Sequence, residues 1–308
     1  MDRRNLTCID LDQPDHEGFR RFISSWLYRD KRLGFLVDPG PLSTIPHLLA
    51  ELDKAGVERL DLILLTHIHI DHAGGTGALL DRYPEAKVVC HPDGIPHMID
   101  PAQLWQGSLK VLGDLARTFG EIIPVAAGRI GCAELLAGTG LRMHRTPGHA
   151  PHHVCYQMED LLFGGEVAGV RAEVPQGIYM RPATPPRFVL EVAVDSLERM
   201  LALEPRSLII AHHGLVEPAS DYLRIARGQL QLWVRGVIET ASKDTADSEQ
   251  ELFDWLLGQD RHFRNFEQLP ADIQARERYF FGNTCRGLQD YADRLSSWQK
   301  QGMLRKTA

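Results

Sequence analysis

The chain has 308 residues, 44% of them hydrophobic and 24% charged, which excludes a wholly disordered protein and allows a substantial buried core. With 34 Lys and Arg against 41 Asp and Glu, the net charge is −7, so we expect no nucleic-acid partner. No apolar run approaches the ~20 residues of a membrane span, and no apolar segment follows the basic start MDRR. The five scattered cysteines form no C-x-x-C pair, so we expect a cytoplasmic protein.

Short apolar runs alternate with amphipathic segments through the first two thirds of the chain. The pattern predicts strands at 34–38, 62–65 and 87–90, and helices at 44–55 and 77–83. A second set of strands is predicted at 141–144, 153–158, 161–163 and 208–211. Strands interleaved with helices are typical of the α/β class.

From residue 218 onward the pattern becomes helical. Apolar residues at i, i+3 and i+4 spacing predict a helix at 220–237, and Ser248 with Glu251 forms a capping box ahead of a second one. Asn283 precedes a third helical stripe, and 241–247 is a polar loop. We therefore divide the chain into a domain at 1–217 and a helical C-terminal extension at 218–308.

Three histidines and one aspartate fall within six residues, directly after the strand predicted at 62–65. Because His67 and His69 are two apart in an extended segment, their imidazoles lie on one side of the backbone and can bind one metal ion. Asp71 and His72 need a turn to reach the same place, where they can serve a second ion. Imidazole and carboxylate ligands suit zinc, iron or manganese, with paired catalytic ions ~3.5–4 Å apart.

The H-x-H-x-D-H pattern of this segment resembles the metallo-β-lactamase superfamily. Three further segments fit that family in order and spacing: TPGH ending at His149, GGE ending at Glu166, and AHHG containing His212 and His213. Asp38, in VDPG, resembles the family's early Asp-x-Gly. The resemblance covers roughly residues 20–215, and the helical tail is similar to that of lactonase-like members.

The resemblance implies an αββα four-layer sandwich with two divalent ions in a groove at one edge of the sheets. It assigns one ion to His67, His69 and His149, and the other to Asp71, His72 and the last histidine. Residue 166 would bridge the ions, and a water or hydroxide between them would be the nucleophile. Asp71 would be catalytic, because it can orient that nucleophile or pass a proton to the leaving group. Zinc is the expected metal, with iron or manganese as alternatives.

Two positions depart from the family pattern. Glu166 stands where the family has aspartate, so the longer side chain either bridges both ions or binds one of them only. The doublet leaves His212 and His213 as candidates for the last ligand. The flanking residues favour His212, and alternation along the preceding strand puts the two rings on opposite sides.

These features predict a hydrolase that cleaves an ester, lactone or thioester in a small-molecule substrate. The alternatives are a phosphodiesterase, a di-iron oxidoreductase and a metal-binding protein without catalysis. Arg171 and Arg181 are candidates to contact an anionic substrate, and His152 and His153 are expected to support the site rather than to bind metal. The C-terminal helices either cap the groove, form a homodimer interface, or do both.

Overall fold

Two mixed β-sheets lie at the centre of the molecule, which we describe from a computed structural model of residues 2–241 and 248–305. The first sheet has six strands in sequence order: β1 (Leu6–Asp10), β2 (Ser24–Arg29), β3 (Gly34–Val37), β4 (Leu62–Leu64), β5 (Lys87–Val89) and β6 (Ile130–Gly131). Its first three strands are antiparallel, and β3 to β6 are parallel. Parallel neighbours place their carboxyl ends at one edge of the sheet, and the segment with the clustered histidines, 67–72, follows β4 there.

The second sheet has the order β13-β12-β9-β8-β7. Its strands are β7 (Leu141–Arg145), β8 (Val154–Met158), β9 (Leu161–Phe163), β12 (Ser207–Ile210) and β13 (Gly214–Val216). The ends of β9 and β12 pair in parallel, so the segments that follow them, with Glu166 and His212, leave the sheet side by side. A separate hairpin is formed by β10 (Val170–Val174) and β11 (Gly177–Arg181).

Helices lie on the outer faces of the two sheets and around the edge where the histidines cluster. They are α1 (Ile45–Lys54), α2 (Ile70–Ala73), α3 (Thr76–Arg82), α4 (Ile95–Ile99), α5 (Ala102–Leu112), α6 (Asp114–Phe119), α7 (Leu190–Ala202), α8 (Ala219–Glu239), α9 (Ser248–Gln259), α10 (Ala271–Asp293) and α11 (Ser297–Arg305). In the described residues, no helix combines the length and the apolar character needed to cross a membrane.

Three apolar clusters separate the layers. One lies between the sheets and includes Phe35, Tyr156 and Phe163. A second lies under α1 and α3, and a third joins the second sheet to α7, α8, α9 and α10. Helix, sheet, sheet and helix therefore follow one another, which confirms the predicted αββα sandwich.

The C-terminal helices differ from the prediction in their bounds. The helix expected to begin near Asn283 begins at Ala271 and runs through that residue to Asp293, and a separate helix starts at Ser297. Residues 242–247, most of the predicted loop, lie outside the described residues. Because Trp233 of α8 is fully buried in the cluster that also holds strand residues Leu208 and Ile210, the helices share the core of the sandwich. The division at residue 217 stays a prediction.

Candidate metal centre and cleft

The segment after β4 delivers the clustered histidines to the edge of the first sheet. The chain stays extended to His69, which directly precedes the short helix α2. The rings of His67 and His69 lie 4.6 Å apart, as expected for alternate residues on one side of an extended strand. The turn of α2 then brings Asp71 and His72 round to the same region.

Four side chains form a first group of potential ligands: His67, His69, His149 and Glu166. Their ligand atoms all lie within 4.8 Å of one another. His149 Nε2 lies 2.9 Å from His69 Nδ1 and 2.8 Å from Glu166 Oε2. The structure therefore brings together the three histidines that the resemblance assigned to one ion.

Asp71, His72 and His212 form a second group. Asp71 Oδ2 lies 3.6 Å from His72 Nε2 and 3.4 Å from His212 Nε2, and the two imidazole nitrogens are 3.2 Å apart. Strand β12 places His212 here, 140 residues from His72 in the sequence. This is the set that the resemblance assigned to the second ion.

The carboxylate of Glu166 lies between the two groups. Its Oε2 is 3.3 Å from His67 Nε2 in the first group and 3.5 Å from His72 Nε2 in the second. Its Oε1 is 3.7 Å from His212 Nε2. Both carboxylate oxygens thus face ring nitrogens, and the longer side chain reaches both groups.

These side chains fit a pair of divalent cations. His67 Nε2 is buried and, among the described residues, has no hydrogen-bond partner, although Glu166 Oε2 is near. His69 Nδ1 and His149 Nε2 face each other, and a cation between two such nitrogens satisfies both lone pairs. Seven imidazole and carboxylate groups in two adjacent sets form the donor chemistry of a dinuclear centre.

The side chains of His212 and His213, which follow β12, face different neighbours, as the alternation of side chains along a strand predicts. His212 Nε2 faces the second group, while His213 Nε2 contacts the Asp10 carboxylate on β1. The geometry therefore favours His212 as the last ligand. Metal ligation by any of the seven residues stays a prediction.

Hydrogen bonds to the outer ring nitrogens fix the orientation of three imidazoles. His72 Nδ1 lies 3.1 Å from Asp38 Oδ2, His149 Nδ1 is 3.1 Å from the Ala183 carbonyl oxygen, and His212 Nδ1 is 2.6 Å from the Phe22 carbonyl oxygen. Each contact leaves the other nitrogen, Nε2, for the centre. Supporting contacts of this kind tune metal affinity.

Asp38 and His153 support the centre from behind. Asp38, at a positive φ of 50°, accepts hydrogen bonds from the Thr66 amide and hydroxyl as well as facing His72. Buried His153 accepts a hydrogen bond from the Glu166 amide at Nε2, and its Nδ1 lies 2.8 Å from the Thr146 hydroxyl. His153 is thus placed in the supporting role that the sequence predicted.

Burial and neighbouring charges set the protonation of the two groups. Burial, aided by His149 and His152, lowers the pKa of His69 to about 3, and burial likewise holds the pKa of His67 well below its usual value. Burial alone raises the pKa of Asp71, but His72 and His212 outweigh burial and lower it to about 2. Neutral imidazoles and an ionised carboxylate are the forms that bind metal.

His72 shows the opposite shift. Burial lowers its pKa, but the carboxylates of Asp71, Asp38 and Glu166 outweigh burial and raise the pKa well above its usual value. The second group is therefore a place where the surrounding negative charge favours a cation.

A cleft with a volume of about 650 Å³ opens over the centre. Its walls come from α5 and α10, and the centre contributes His69, Asp71, His149, Glu166 and His212 to its surface. Helices α4, α5 and α6 were not predicted from the sequence, and the α5 wall was therefore not predicted either. The signal that could have found α5 is the spacing of Leu104, Ser108, Val111 and Leu112.

The two arginines singled out from the sequence are both paired. Arg171 binds Glu173 and the His213 carbonyl oxygen. Arg181 lines the cleft, but its Nε donates to buried Glu277 on α10 at 2.6 Å. Both guanidiniums thus have carboxylate partners, although Arg181 shares Glu277 with Arg276.

Comparison with known proteins bears on this centre. The family model of the metallo-beta-lactamase superfamily matches residues 18–212, about two thirds of the chain and all seven candidate ligands. The chain belongs to this superfamily. The match ends at His212, so α8 to α11 lie outside the matched region.

Individual relatives extend the comparison. The chain is similar to a metallo-beta-lactamase fold-containing protein of Sulfurisphaera tokodaii, 33% identical over 219 residues, which cover 65% of this chain and 76% of that protein. It is also similar to the hydroxyacylglutathione hydrolase of Aeromonas salmonicida, 30% identical over 190 residues, which cover 61% of this chain and 59% of that enzyme. A crystal structure of an archaeal superfamily member from Sulfolobus tokodaii superposes with a TM-score of 0.69 at 24% identity, over 93% of this chain and 98% of that one.

Proposed function

We propose that this protein is a dinuclear metal-dependent hydrolase of an ester, lactone or thioester in a small molecule. The observation that carries the proposal is the meeting of two ligand groups at Glu166, on the floor of a cleft large enough for a small-molecule substrate. A relative named hydroxyacylglutathione hydrolase supports an acyl group as part of the substrate. Cytoplasmic location and a homodimer formed by the C-terminal helices remain part of the proposal.

The seven candidate ligands form two sets, one for each ion. His67, His69, His149 and Glu166 would hold one ion, and Asp71, His72 and His212 would hold the other. When bound, a divalent pair lowers the pKa of a water molecule and polarises a substrate carbonyl. Asp71 is 17% exposed, lines the cleft and is ionised, so it can orient the nucleophile as a hydrogen-bond acceptor.

Zinc is the metal we propose, because histidine and carboxylate ligands suit it. Metal content, measured by plasma mass spectrometry on protein purified without chelators, tests the centre. We expect about two ions per chain for the unmodified protein and for His213→Ala, and about one for His212→Ala. Equal metal content in the two variants would refute the assignment of His212.

A substrate panel tests the reaction. We expect metal-loaded protein to cleave p-nitrophenyl acetate, a lactone or an acyl thioester, and Asp71→Asn to lower that rate by ~10²-fold or more. Cleavage of bis-p-nitrophenyl phosphate alone would favour a phosphodiesterase. Bound iron with oxygen consumption would favour an oxidoreductase, and two bound ions with no turnover would favour a metal-binding protein.

A further inference from the structure

Helix α5 presents an apolar face that the rest of the described chain covers only in part, since Leu104 and Leu112 pack against the core under α1 and α3. None of its residues is buried, and Val111 is 49% exposed. Leu104, Gly107, Ser108 and Val111 lie on one side of this helix and line the cleft. An apolar face of this kind, kept open beside a metal centre, indicates a ligand that covers it during function.

The opposite wall and the floor of the cleft are also apolar. Phe280 of α10 faces α5 across the opening, and Ile68, Phe22 and Phe119 lie deeper. The Tyr279 hydroxyl donates a hydrogen bond to the Leu112 carbonyl oxygen at 3.2 Å, which joins the two walls. The cleft is therefore a walled apolar channel that ends at the ligands of the centre.

Few charged side chains line the cleft away from the centre. Buried Arg181 shares the Glu277 carboxylate with Arg276, and Arg187 is exposed at the rim. The rest of the α5 and α10 walls offers mainly apolar side chains to a bound substrate.

We infer that the substrate carries an aliphatic acyl chain longer than acetyl, which the apolar walls of the cleft would cover. The chain lies between α5 and α10 with its carbonyl at the centre. This inference rests on the proposed hydrolase function. In the reaction, water adds its oxygen to the acyl carbon, the bond from that carbon to oxygen or sulfur breaks, and the leaving alcohol or thiol takes the proton.

A chain-length series tests the inference. For p-nitrophenyl acetate, butyrate, hexanoate and octanoate, we expect kcat/KM to rise about two- to fourfold with each buried methylene. A flat or falling series would overturn the inference, as would a preference for an acylglutathione over the octanoyl ester.

The α5 wall offers a specific variant and a matched control. Gly107 lines the cleft and a Cβ there meets no heavy atom within 4 Å, so we expect the fold to accept Gly107→Trp, with its ring in the cleft. Gly258, exposed on α9 and away from the cleft, is equally open, and Gly258→Trp is the control. We expect Gly107→Trp to lower the octanoate-to-acetate ratio of kcat/KM at least tenfold and the control to leave it unchanged. An unchanged ratio in Gly107→Trp would contradict a chain seated against α5.

Calorimetric titration of the metal-loaded protein with acetate, butyrate, hexanoate and octanoate separates this inference from the proposed function. We expect the Kd of these product acids to fall about two- to fourfold per methylene. If the Kd falls with chain length but no ester, lactone or thioester is cleaved, the hydrolase proposal fails and the inference of an apolar ligand in the cleft is kept. If esters are cleaved but the Kd and kcat/KM do not depend on chain length, this inference fails and the hydrolase proposal is kept.

Discussion

Replacing Glu277 with glutamine removes the carboxylate that holds two buried arginines together. Glu277 Oε2 accepts hydrogen bonds from Arg181 Nε at 2.6 Å and from the Tyr179 hydroxyl at 3.2 Å. Its Oε1 accepts from Arg276 Nε at 3.0 Å. The three charged side chains are only 1%, 3% and 4% exposed, so water cannot replace the lost partner.

The expected cost follows from this burial. A glutamine keeps one acceptor oxygen and presents an amide NH₂ to a guanidinium that can only donate. Removing one partner of a buried ion pair costs about 3–5 kcal/mol, because the remaining charge is left buried and unpaired. Since domains are stable by only ~5–15 kcal/mol, we expect Glu277→Gln to lose a large share of the free energy of unfolding.

Urea denaturation at fixed metal concentration measures this loss, and its pH dependence gives a second readout. Burial raises the pKa of Glu277, but Arg181 and Arg276 outweigh burial and hold it below the usual 4.5. The carboxylate therefore stabilises the fold above pH 4.5, and that stabilisation is lost as pH falls through the lower pKa of the folded state. The difference in the free energy of unfolding between the unmodified protein and Glu277→Gln should be largest at pH 7 and should shrink below pH 4.5.

Glu51→Gln is the control, because Glu51 pairs with Lys54 in an exposed ion pair one helical turn away. We expect no measurable change there, since exposed pairs contribute little. A loss below about 1 kcal/mol in Glu277→Gln would refute the reasoning, since the buried network would then contribute no more than a surface pair.

Two further predictions concern the centre and the cleft wall. Asp38→Asn should lower metal affinity ~10–100-fold, because it weakens the hydrogen bonds that hold Thr66 and His72. Competition with a chromogenic zinc chelator measures the affinity, and an unchanged value would contradict this prediction. Gly287→Ala should destabilise the protein by ~1–3 kcal/mol or more in urea denaturation, because the new Cβ would lie 1.8 Å from the Thr184 carbonyl oxygen. Gly302→Ala, with nothing within 4 Å, should instead stabilise the fold by up to ~1 kcal/mol, and equal effects in the two glycine variants would contradict the packing argument.

His67 and His69 could be found from the residues themselves, whereas His149, Glu166 and His212 were identified by resemblance to the metallo-β-lactamase superfamily. His67 and His69 follow β4, and Glu166 and His212 follow β9 and β12. Local alternation and spacing are enough to place such residues at the ends of strands. The resemblance also implied superfamily membership and the αββα sandwich, and the family match and the structure confirm both.

The start of α10 and the cleft could not be placed in this way. Asn283 has the side chain of a helix cap, but it lies inside α10, where it accepts a hydrogen bond from Arg286. The helix instead begins directly after Pro270, and this proline was not used to predict the start of the helix. The pairing of α5 with α10 joins residues about 170 positions apart, and no local pattern encodes such a contact.

Helix α10, outside the family match, supports the centre as well as forming the cleft wall. The Arg276 guanidinium lies 4.9 Å from the Phe22 ring centroid, and the Phe22 carbonyl oxygen contacts His212. Thr184, beside the Ala183 carbonyl oxygen that contacts His149, donates a hydrogen bond to the Thr284 carbonyl oxygen of the same helix. One helix thus supports a histidine in each ligand group and also shapes the cleft. Changes in α10 should therefore alter metal affinity and substrate preference together, whereas changes confined to α5 should alter substrate preference alone.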